Sequence, residues 1–401
     1  MIPYEDVRAT ILAACAPLPP RAVPLADALG CVTSIPLQAD EAVPPFANTA
    51  MDGYAVRAAD TAGAPVRLKV VATLAAGAAP DRDVGAGEAI RIMTGAPIPP
   101  GADAIVMVEL TRGDDGGNTV IVERQAAVGD HVRPAGDDIA AGDTVVAAGT
   151  ELGPAHLGVL ASLGYQRVPV YPRARVGVLT TGDEIIEGPT PLRPGQIRDS
   201  NRPMLLGLVA QSGFDAIDLG QARDDFDVIE AAISDAAARC DAVVTTGGVS
   251  VGDFDHVKAV LAKLGRFESW QVAIKPAKPL AFAVIDGTPV FGLPGNPVSA
   301  MVSFELFARP ALRQMTGHRD IERPQVVAIA DDGLRRRPDG KVHFVRVVAA
   351  HGDDGRVHVR AAGAQGSHQL HATAAANALA IVPDGDGIEP GAEVRALLLQ
   401  A

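Results

Sequence analysis

Short apolar runs alternate with helical patterns between residues 175 and 316, and this alternation is the clearest structural signal in the chain. The apolar runs that predict strands occupy residues 175–180, 215–219, 242–246, 280–285 and 289–291. The helical patterns between and after them occupy residues 203–211, 226–239, 254–264 and 298–315. Strands that alternate with helices in this way predict a doubly wound, mostly parallel α/β sheet.

The regions on either side of the predicted sheet are richer in β-type patterns. A helix is predicted at residues 4–14, and β runs follow at 66–72, 89–93, 104–108 and 120–123. Residues 145–163 are helical in pattern again, and 168–172 resemble a linker. These flanking patterns favour a β-rich domain inserted into a discontinuous one. Beyond residue 321, β runs at 325–329, 343–348, 356–360 and 393–398 predict a small sheet or barrel.

Composition and charge narrow the functional class. The chain has 401 residues, of which 48% are hydrophobic, so it can bury several cores. Its net charge of −13 argues against a nucleic-acid or anionic-membrane binder, because such binding needs a basic face. Three cysteines without a Cys-x-x-Cys pair, and an N-terminus without a signal-peptide pattern, predict a cytoplasmic protein. The charge-free segment 361–383 contains polar residues such as Gln365 and His371, so we expect no membrane span.

Three loops follow predicted strands of the α/β sheet and precede helices, at residues 181–184, 247–255 and 292–299. Ligands of such sheets bind outside the carboxyl ends of the strands, where glycines let backbone N–H groups approach phosphate oxygens. Each loop taken alone is explained as well by a tight strand-to-helix turn. Together they predict a site for a phosphorylated ligand, although none matches the P-loop or the dinucleotide fingerprint.

Two lysines stand out between the second and third loops. From residue 271 to residue 285 the only charged residues are Lys275 and Lys278, and a proline follows each of them. Ammonium groups without local carboxylate partners suit an anionic substrate or leaving group. The alternative is a pair of solvated surface lysines, but the stiffening prolines favour the functional interpretation.

Carboxylates near these loops are candidate ligands for Mg²⁺, which binds one or two carboxylates together with phosphate oxygens and water. The candidates are Glu184, Asp224, Asp253 and Asp255. Loop solvation and helix capping are the alternative roles, and Asp224 with its neighbour Asp225 precedes the helix predicted at residue 226.

Six motifs, in order along the chain, resemble the molybdopterin molybdenumtransferase family, which also includes the E domain of gephyrin. They are NTAMDGYAVR at 48–57, MTGAP at 93–97, TGDE at 181–184, GGVSVG at 247–252, KPAKP at 275–279 and GLPGNP at 292–297. The resemblance implies an elongated discontinuous domain (1–40 and 140–171) and an inserted β-rich domain (41–139). It further implies an α/β molybdopterin-binding domain (172–319) and a C-terminal β-barrel (320–401).

The resemblance also implies a reaction and its partners. Such an enzyme takes adenylylated molybdopterin and molybdate, inserts the metal, and releases AMP with the help of Mg²⁺. A homodimer is implied, with the site between the α/β domain of one subunit and the inserted domain of the other. Molybdopterin adenylyltransferase and apo-molybdoenzymes are the expected protein partners.

The resemblance also implies roles for particular residues. It implies cleft carboxylates and hydroxyls at Asp52, Thr94, Asp138, Glu184, Asp224 and Asp255, of which Glu184 and Asp255 would hold Mg²⁺. Lys275 and Lys278 would face pyrophosphate or molybdate, helped by Ser299, with Arg346 and Ser367 on the oxyanion side. Further substrate-binding positions are Gly247, Gly248, Ser250, Pro294 and Pro297. Ala277 departs from the family's Gly between the lysines, and Ala47 from its Asp.

Two other functions remain as alternatives. One is a scaffold, because the family includes a eukaryotic fusion protein that clusters receptors, but this chain lacks the fused domain and the long linker. The other is a nucleotide-dependent hydrolase acting on a pterin or a dinucleotide. Asp52, Thr94 and Lys278 favour the transferase over the hydrolase.

Overall fold

The computed structural model describes residues 1–113, 117–249 and 256–399. Ser250, Asp253 and Asp255, all named above as candidate site residues, lie outside the described residues. Among the helices of the described part of the chain, none is both long and apolar enough to cross a membrane.

The first segment begins with helix α1, at the residues predicted. Its elements are α1 (Tyr4–Ala14), β1 (Arg21–Pro24), β2 (Val32–Thr33) and β3 (Leu37–Gln38). Val7 and Ile11 lie four residues apart on one face of α1 and are buried. They pack into the large core cluster that continues into the α/β sheet.

A β-rich segment follows. Its strands are β4 (Asn48–Thr49), β5 (Gly53–Val56), β6 (Val66–Leu74), β7 (Glu88–Ile92), β8 (Ala104–Met107), β9 (Thr111–Gly113), β10 (Thr119–Val122) and β11 (Val132–Arg133). Six of them form one sheet in the order β8-β5-β7-β6-β10-β9, and β4 pairs with β11. Successive residues of its strands contribute to two different buried apolar clusters, with Val56, Ala89 and Val106 in one and Ala55, Ile90 and Ile105 in the other, so each face of the sheet is covered by its own cluster.

The chain then returns to its first segment through β12 (Thr144–Val146), α2 (Pro154–Ser162) and β13 (Arg167–Tyr171). Strand β13 pairs with both β1 and β2, and β12 pairs with β3. The linker predicted at residues 168–172 is therefore wrong, because this segment is the central strand of a three-stranded sheet. The helical prediction at 145–163 is right only for its second half.

The α/β segment contains nine strands and five helices among its described residues. They are β14 (Arg175–Thr181), β15 (Ile185–Ile186), β16 (Ile197–Arg198), α3 (Asn201–Gln211), β17 (Asp215–Ala222), α4 (Phe226–Arg239), β18 (Ala242–Thr246), α5 (His256–Leu264), β19 (Arg266–Gln271), β20 (Ile274–Lys275), β21 (Pro279–Ile285), β22 (Thr288–Leu293), α6 (Pro297–Ser303) and α7 (Arg309–Met315), with a π-helical turn at Phe304–Ala308.

The main sheet of this segment has the order β17-β14-β18-β22-β21-β19. The first four strands are parallel, and β21 and β19 are antiparallel additions at one edge. The predicted mostly parallel α/β sheet is confirmed. Helix α4 shows why the sequence folds so: Asp225 caps it by accepting from the backbone of Asp227 and Val228, while Ile229 and Ile233 are buried.

The last segment is a closed barrel, as predicted. Its elements are β23 (Gln325–Ala330), β24 (Leu334–Arg335), β25 (Val342–His351), β26 (Val357–Ala361), α8 (Leu370–Ala375), β27 (Ala378–Val382), β28 (Gly387–Ile388) and β29 (Glu393–Leu398). The ring closes through β25, β26, β23, β29, β27 and back to β25. Strand β20 of the preceding segment pairs in parallel with β25 and so extends the barrel sheet.

Candidate active site

The three glycine-containing loops lie side by side, because β14, β18 and β22 are neighbouring parallel strands. In this register Thr180 lies opposite Thr246, and Thr246 lies opposite Leu293. The backbone N–H of Gly247 donates to the carbonyl of Leu293 at 3.2 Å. The Thr246 hydroxyl donates to the carbonyl of Pro294 at 3.1 Å. The loops therefore form one edge rather than three separate turns.

Two glycines of the second loop occupy positions that a side chain would not fit. Gly247 has φ +99, and a Cβ there would lie 2.5 Å from the carbonyl oxygen of Thr181. Gly248 has φ +62, and its Cβ would lie 2.7 Å from Val257 Cγ2. Glycine is needed at both positions for the backbone conformation and for the close approach.

Asn201, at the start of α3, is a residue of this edge that the sequence patterns did not single out. Its side-chain amide donates to Thr246 Oγ1 at 2.8 Å and to the carbonyl of Gly295 at 2.7 Å. It thereby joins α3 to the ends of both neighbouring strands. The side chain that caps the N-terminus of α3 is that of Asp199, whose carboxylate accepts a hydrogen bond from the backbone N–H of Arg202 at 3.0 Å. The sequence feature that could have pointed to Asn201 is its place as a polar residue at the first position of the helix, directly after Asp199 and Ser200.

Carboxylates gather where β14 and β17 end. Asp183 Oδ1 accepts from the backbone N–H of Asp224 at 3.2 Å. Burial raises the pKa of Asp224, and the nearby charges of Glu184 and Asp183 raise it further. No cluster of three or more metal-binding side chains is present within the described ranges. The structure thus brings Glu184 and Asp224 together, whereas Asp255 lies outside the described residues.

The two lysines line an open cleft of about 480 Å³, here called the lysine cleft, together with Ser299 and Ser367. No carboxylate is among its lining residues, and neither Lys275 nor Lys278 forms an ion pair with any residue that the structure describes. Ala277 between them is buried and has φ +75, a left-handed conformation that glycine adopts more easily. The lysines themselves are exposed on either side of it.

The barrel completes one wall of the lysine cleft. The carbonyl of Ser367 accepts from the backbone N–H of Val298 at 3.2 Å. The side-chain amide of Asn296 donates to Ser367 Oγ at 3.2 Å. Pro297 begins α6 between these contacts, and Ser299 follows as a buried residue. The predicted positions Pro294, Pro297, Ser299 and Ser367 therefore lie in one neighbourhood.

Arg346 lies behind that wall and not among the lining residues. Its side chain is almost fully buried and donates to the carbonyls of Gln369, Ala364 and Gly366 at 2.8, 3.0 and 3.1 Å. A fourth bond, of 3.1 Å, goes to Thr373 Oγ1. Burial lowers the pKa of the guanidinium. In this structure Arg346 holds the loop that carries Ser367.

The remaining predicted residues, Asp52, Thr94 and Asp138, lie in the β-rich segment and its end. Asp52 Oδ1 accepts from both the backbone N–H and the hydroxyl of Thr94, each at 2.7 Å. Asp138 is exposed, and its backbone N–H donates to the carbonyl of Val43 at 3.0 Å. Within the described part of the chain, no hydrogen bond or ion pair joins these three residues to the α/β loops.

Comparison with known proteins identifies the family. Three family models match in succession: "MoeA N-terminal region (domain I and II)" at residues 2–164, "Probable molybdopterin binding domain" at 177–314, and "MoeA C-terminal region (domain IV)" at 332–399. A Mycobacterium tuberculosis protein named molybdopterin molybdenumtransferase 2 is 41% identical over 391 residues, which cover 95% of this chain and 94% of that protein. The chain belongs to the MoeA family.

Other MoeA proteins agree with this assignment. The Bacillus subtilis molybdopterin molybdenumtransferase is 36% identical, over 94% of this chain and 89% of that protein. A crystal structure of the molybdopterin biosynthesis MoeA protein of Pyrococcus horikoshii OT3 has a TM-score of 0.78 and 30% identity, over 99% of this chain and all of that one. As a MoeA protein this chain is an enzyme with a role in molybdenum cofactor biosynthesis.

Proposed function

We propose that this MoeA protein inserts molybdenum from molybdate into adenylylated molybdopterin and releases AMP. The observation that carries the proposal is the lysine cleft, which holds Lys275 and Lys278 with no carboxylate among its described lining residues, in a chain of net charge −13. Asn296 and Ser299 of the third loop also line it, so the cleft adjoins the carboxyl edge of the parallel sheet. A phosphorylated ligand and a tetrahedral oxyanion suit these two neighbouring surfaces.

The glycine loops are proposed to bind the phosphorylated pterin. Gly247 and Gly248 have no side chain to cover their backbone. A Cβ would collide with the end of β14 at Gly247 and with α5 at Gly248. Bare backbone lets N–H groups approach phosphate oxygens closely. Asn201 fixes the spacing of these loops through its bonds to Thr246 and Gly295, so the binding surface is formed before the ligand arrives.

The lysines are proposed to stabilise negative charge on the leaving phosphate and on molybdate. Each ammonium is a compact point charge with three donors, and exposure leaves it able to reorient toward the ligand. Ser367, held by Asn296, adds a hydroxyl to the same wall. Preorganised donors of this kind act most strongly where charge develops during the reaction.

The carboxylates near β14 and β17 fit Mg²⁺. Burial raises the pKa of Asp224, and the like charges of Glu184 and Asp183 raise it further; a bound dication would relieve that repulsion. Mg²⁺ needs only one or two carboxylates when phosphate oxygens and water complete its shell, so a preformed cage is not required. When bound there, Mg²⁺ would polarise the phosphoanhydride. We assign the carboxylate role to Glu184 and Asp224, with Asp255 as a further candidate.

The family resemblance implies a homodimer, and we propose one because, among the described residues, no hydrogen bond or ion pair joins Asp52 or Thr94 to the α/β loops of the same chain. Asp52 and Thr94 of one subunit would face the α/β loops of the second, which would complete the site. Sedimentation of the purified protein measures this directly. A strictly monomeric protein with full activity would overturn this part of the proposal.

The test of the reaction is incubation with adenylylated molybdopterin and Mg²⁺, with molybdate added or omitted, while AMP and the molybdenum-loaded product are followed. We expect both to depend on molybdate, and Lys278→Ala to lower the rate about 100-fold. Lys69→Ala, an exposed lysine on β6, is the matched control and keeps the wild-type rate. AMP release without molybdate would instead indicate a hydrolase.

The resemblance also suggests physical partners, and we propose that molybdopterin adenylyltransferase delivers the substrate and that apo-molybdoenzymes receive the product. Co-purification of each partner with the full chain tests these contacts. The absence of any such complex would leave free diffusion as the route of transfer.

A further inference from the structure

A second cleft, of about 720 Å³, lies beside the lysine cleft and is here called the arginine cleft. The two clefts share four lining residues, namely Lys275, Pro276, Gln365 and Gly366. The arginine cleft is otherwise built from the barrel, chiefly from residues 333–339 and from β25. Apart from Lys275, none of the predicted site residues that the structure describes lines it. It therefore forms an open approach to the lysine cleft from the barrel side.

Three consecutive arginines at residues 335–337 dominate its charge. The side chain of Arg336 is only 4% exposed, and its guanidinium contacts Asp339 Oδ1 at 2.5 Å and Asp384 Oδ1 at 2.7 Å. These ion pairs fix residues 335–337 to the barrel and neutralise the charge of Arg336. Arg335 is 78% exposed and has only a long contact, of 3.7 Å, to Glu389. Arg337 is exposed and has no ion pair with any described residue.

The negative charge of this cleft is already compensated. Asp339 is the only carboxylate among the described residues that line it. Besides Arg336, it contacts Lys341 Nζ at 3.3 Å and His343 Nε2 at 3.2 Å. The charges of Arg335, Arg337 and Lys275 are therefore left in excess.

The floor of the arginine cleft is apolar. Leu334, Phe344 and Val382 line it and are buried. A low-dielectric wall beside charges of one sign concentrates the electric field in a cleft and raises the local concentration of counter-ions. Such focusing matters here because a chain of net charge −13 repels a dianion at long range.

We propose that the arginine cleft captures the tetrahedral oxyanion substrate and passes it through the shared wall to Lys275 and Lys278. Arg335 and Arg337 act at the encounter step, before the anion reaches the lysine cleft. The ligand class is a tetrahedral dianion of the molybdate and tungstate type. This inference rests on the proposed function, because it assigns a route to the same substrate.

The test uses the double variant Arg335→Gln/Arg337→Gln in the full-length enzyme. At limiting molybdate and an ionic strength of about 0.01 M, we expect the rate of metal insertion to fall about tenfold. The loss should disappear near 1 M salt, where the screening length is about 3 Å, and at saturating molybdate. Arg239→Gln removes an exposed charge from the distant end of α4 and should leave the rate unchanged.

The charge-retaining variant Arg335→Lys/Arg337→Lys distinguishes steering from local damage, and it should keep most of the wild-type rate. Equal rates and equal salt dependence in the Gln double variant and the wild type would overturn the capture role while leaving the proposed function intact. Equilibrium dialysis of tungstate without any pterin separates the two ideas further. Weaker binding of tungstate at low salt by the Gln variant supports capture even if the wild type inserts no metal, and unchanged binding refutes it.

Discussion

Asp52 and Thr94 are joined by two hydrogen bonds to one carboxylate oxygen, one from the backbone N–H and one from the hydroxyl, both of 2.7 Å. The pair ties the loop before β5 to the loop after β7, which are adjacent in the sheet but 42 residues apart in sequence. These bonds lower the pKa of Asp52, so the carboxylate is ionised and pointed in a fixed direction at neutral pH.

Replacement of Thr94 by Val tests this pair. The change removes the hydroxyl donor and keeps the backbone donor, so we expect the pKa of Asp52 to rise toward its ordinary value of about 4. Because the folded-state pKa of Asp52 is depressed, its contribution to stability is present above the unfolded-state pKa and is lost as the pH falls through the folded value. NMR titration of the Asp52 carboxyl carbon measures the shift. Thr73→Val, at an exposed position on β6, should leave that titration unchanged.

Replacement of Gly247 by Ala should destabilise the protein by about 2 kcal/mol, because its φ is +99 and the new Cβ would lie 2.5 Å from a backbone oxygen. Gly295→Ala is the control within the same edge of the sheet. Among the described residues, the atom nearest to a Cβ at Gly295 would be Gly247 Cα at 3.8 Å, and the φ of Gly295 is not positive, so we expect a change below about 0.5 kcal/mol. Urea unfolding of both variants gives the comparison, and equal losses would contradict the steric explanation.

Replacement of Arg346 by Met should cost about 3 kcal/mol, because three carbonyls and a hydroxyl lose their donors inside the protein. Hydrogen exchange in residues 363–369 should accelerate more than in the barrel strands. Arg395→Met, on the exposed face of β29, should change neither quantity. A stable Met variant with an ordered loop but no molybdate binding would show that Arg346 contacts the oxyanion directly.

Replacement of Asp224 by Asn should raise the melting temperature at pH 7 in the absence of divalent ions. The folded-state pKa of Asp224 is raised, so stability is highest below its ordinary pKa and falls as the carboxyl ionises beside Glu184 and Asp183. Mg²⁺ should stabilise the wild type more than the variant. Differential scanning calorimetry with and without Mg²⁺ measures both effects, with Asp353→Asn as an exposed control. Equal Mg²⁺ responses would exclude Asp224 as a ligand.

Local patterns predicted the elements whose signals are local. Helix α4 has its cap, its apolar spacing and its end within one stretch of sequence, and the structure agrees residue for residue. The shared edge of the three loops followed from the general rule that parallel strands end on the same side of a sheet. The segment with Lys275 and Lys278 was recognisable because no other charged residue occurs between residues 271 and 285.

Features that depend on distant partners were missed. Strand β13 has the sequence pattern of a linker because Pro169 lies within it and Pro172 follows it, but its partner β1 lies about 145 residues earlier, where Ala22 faces Pro169. Strand β27 lies in the charge-free segment and is buried throughout, so it has no alternating pattern to reveal it. The bridging contacts of Asn201 and the position of Arg346 behind the cleft depend on tertiary packing, which periodicity does not encode.

Strand β20 has a consequence for how this enzyme could be recombined with its relatives. Ile274 and Lys275 belong in sequence to the α/β segment, yet they pair with Val342 and His343 of the barrel. A chimera spliced near residue 320 would take the barrel from one parent and its sixth strand from another. Lys275 would then come from one parent and β25, the strand that positions it, from the other. A barrel moved between relatives therefore has to be moved together with β20.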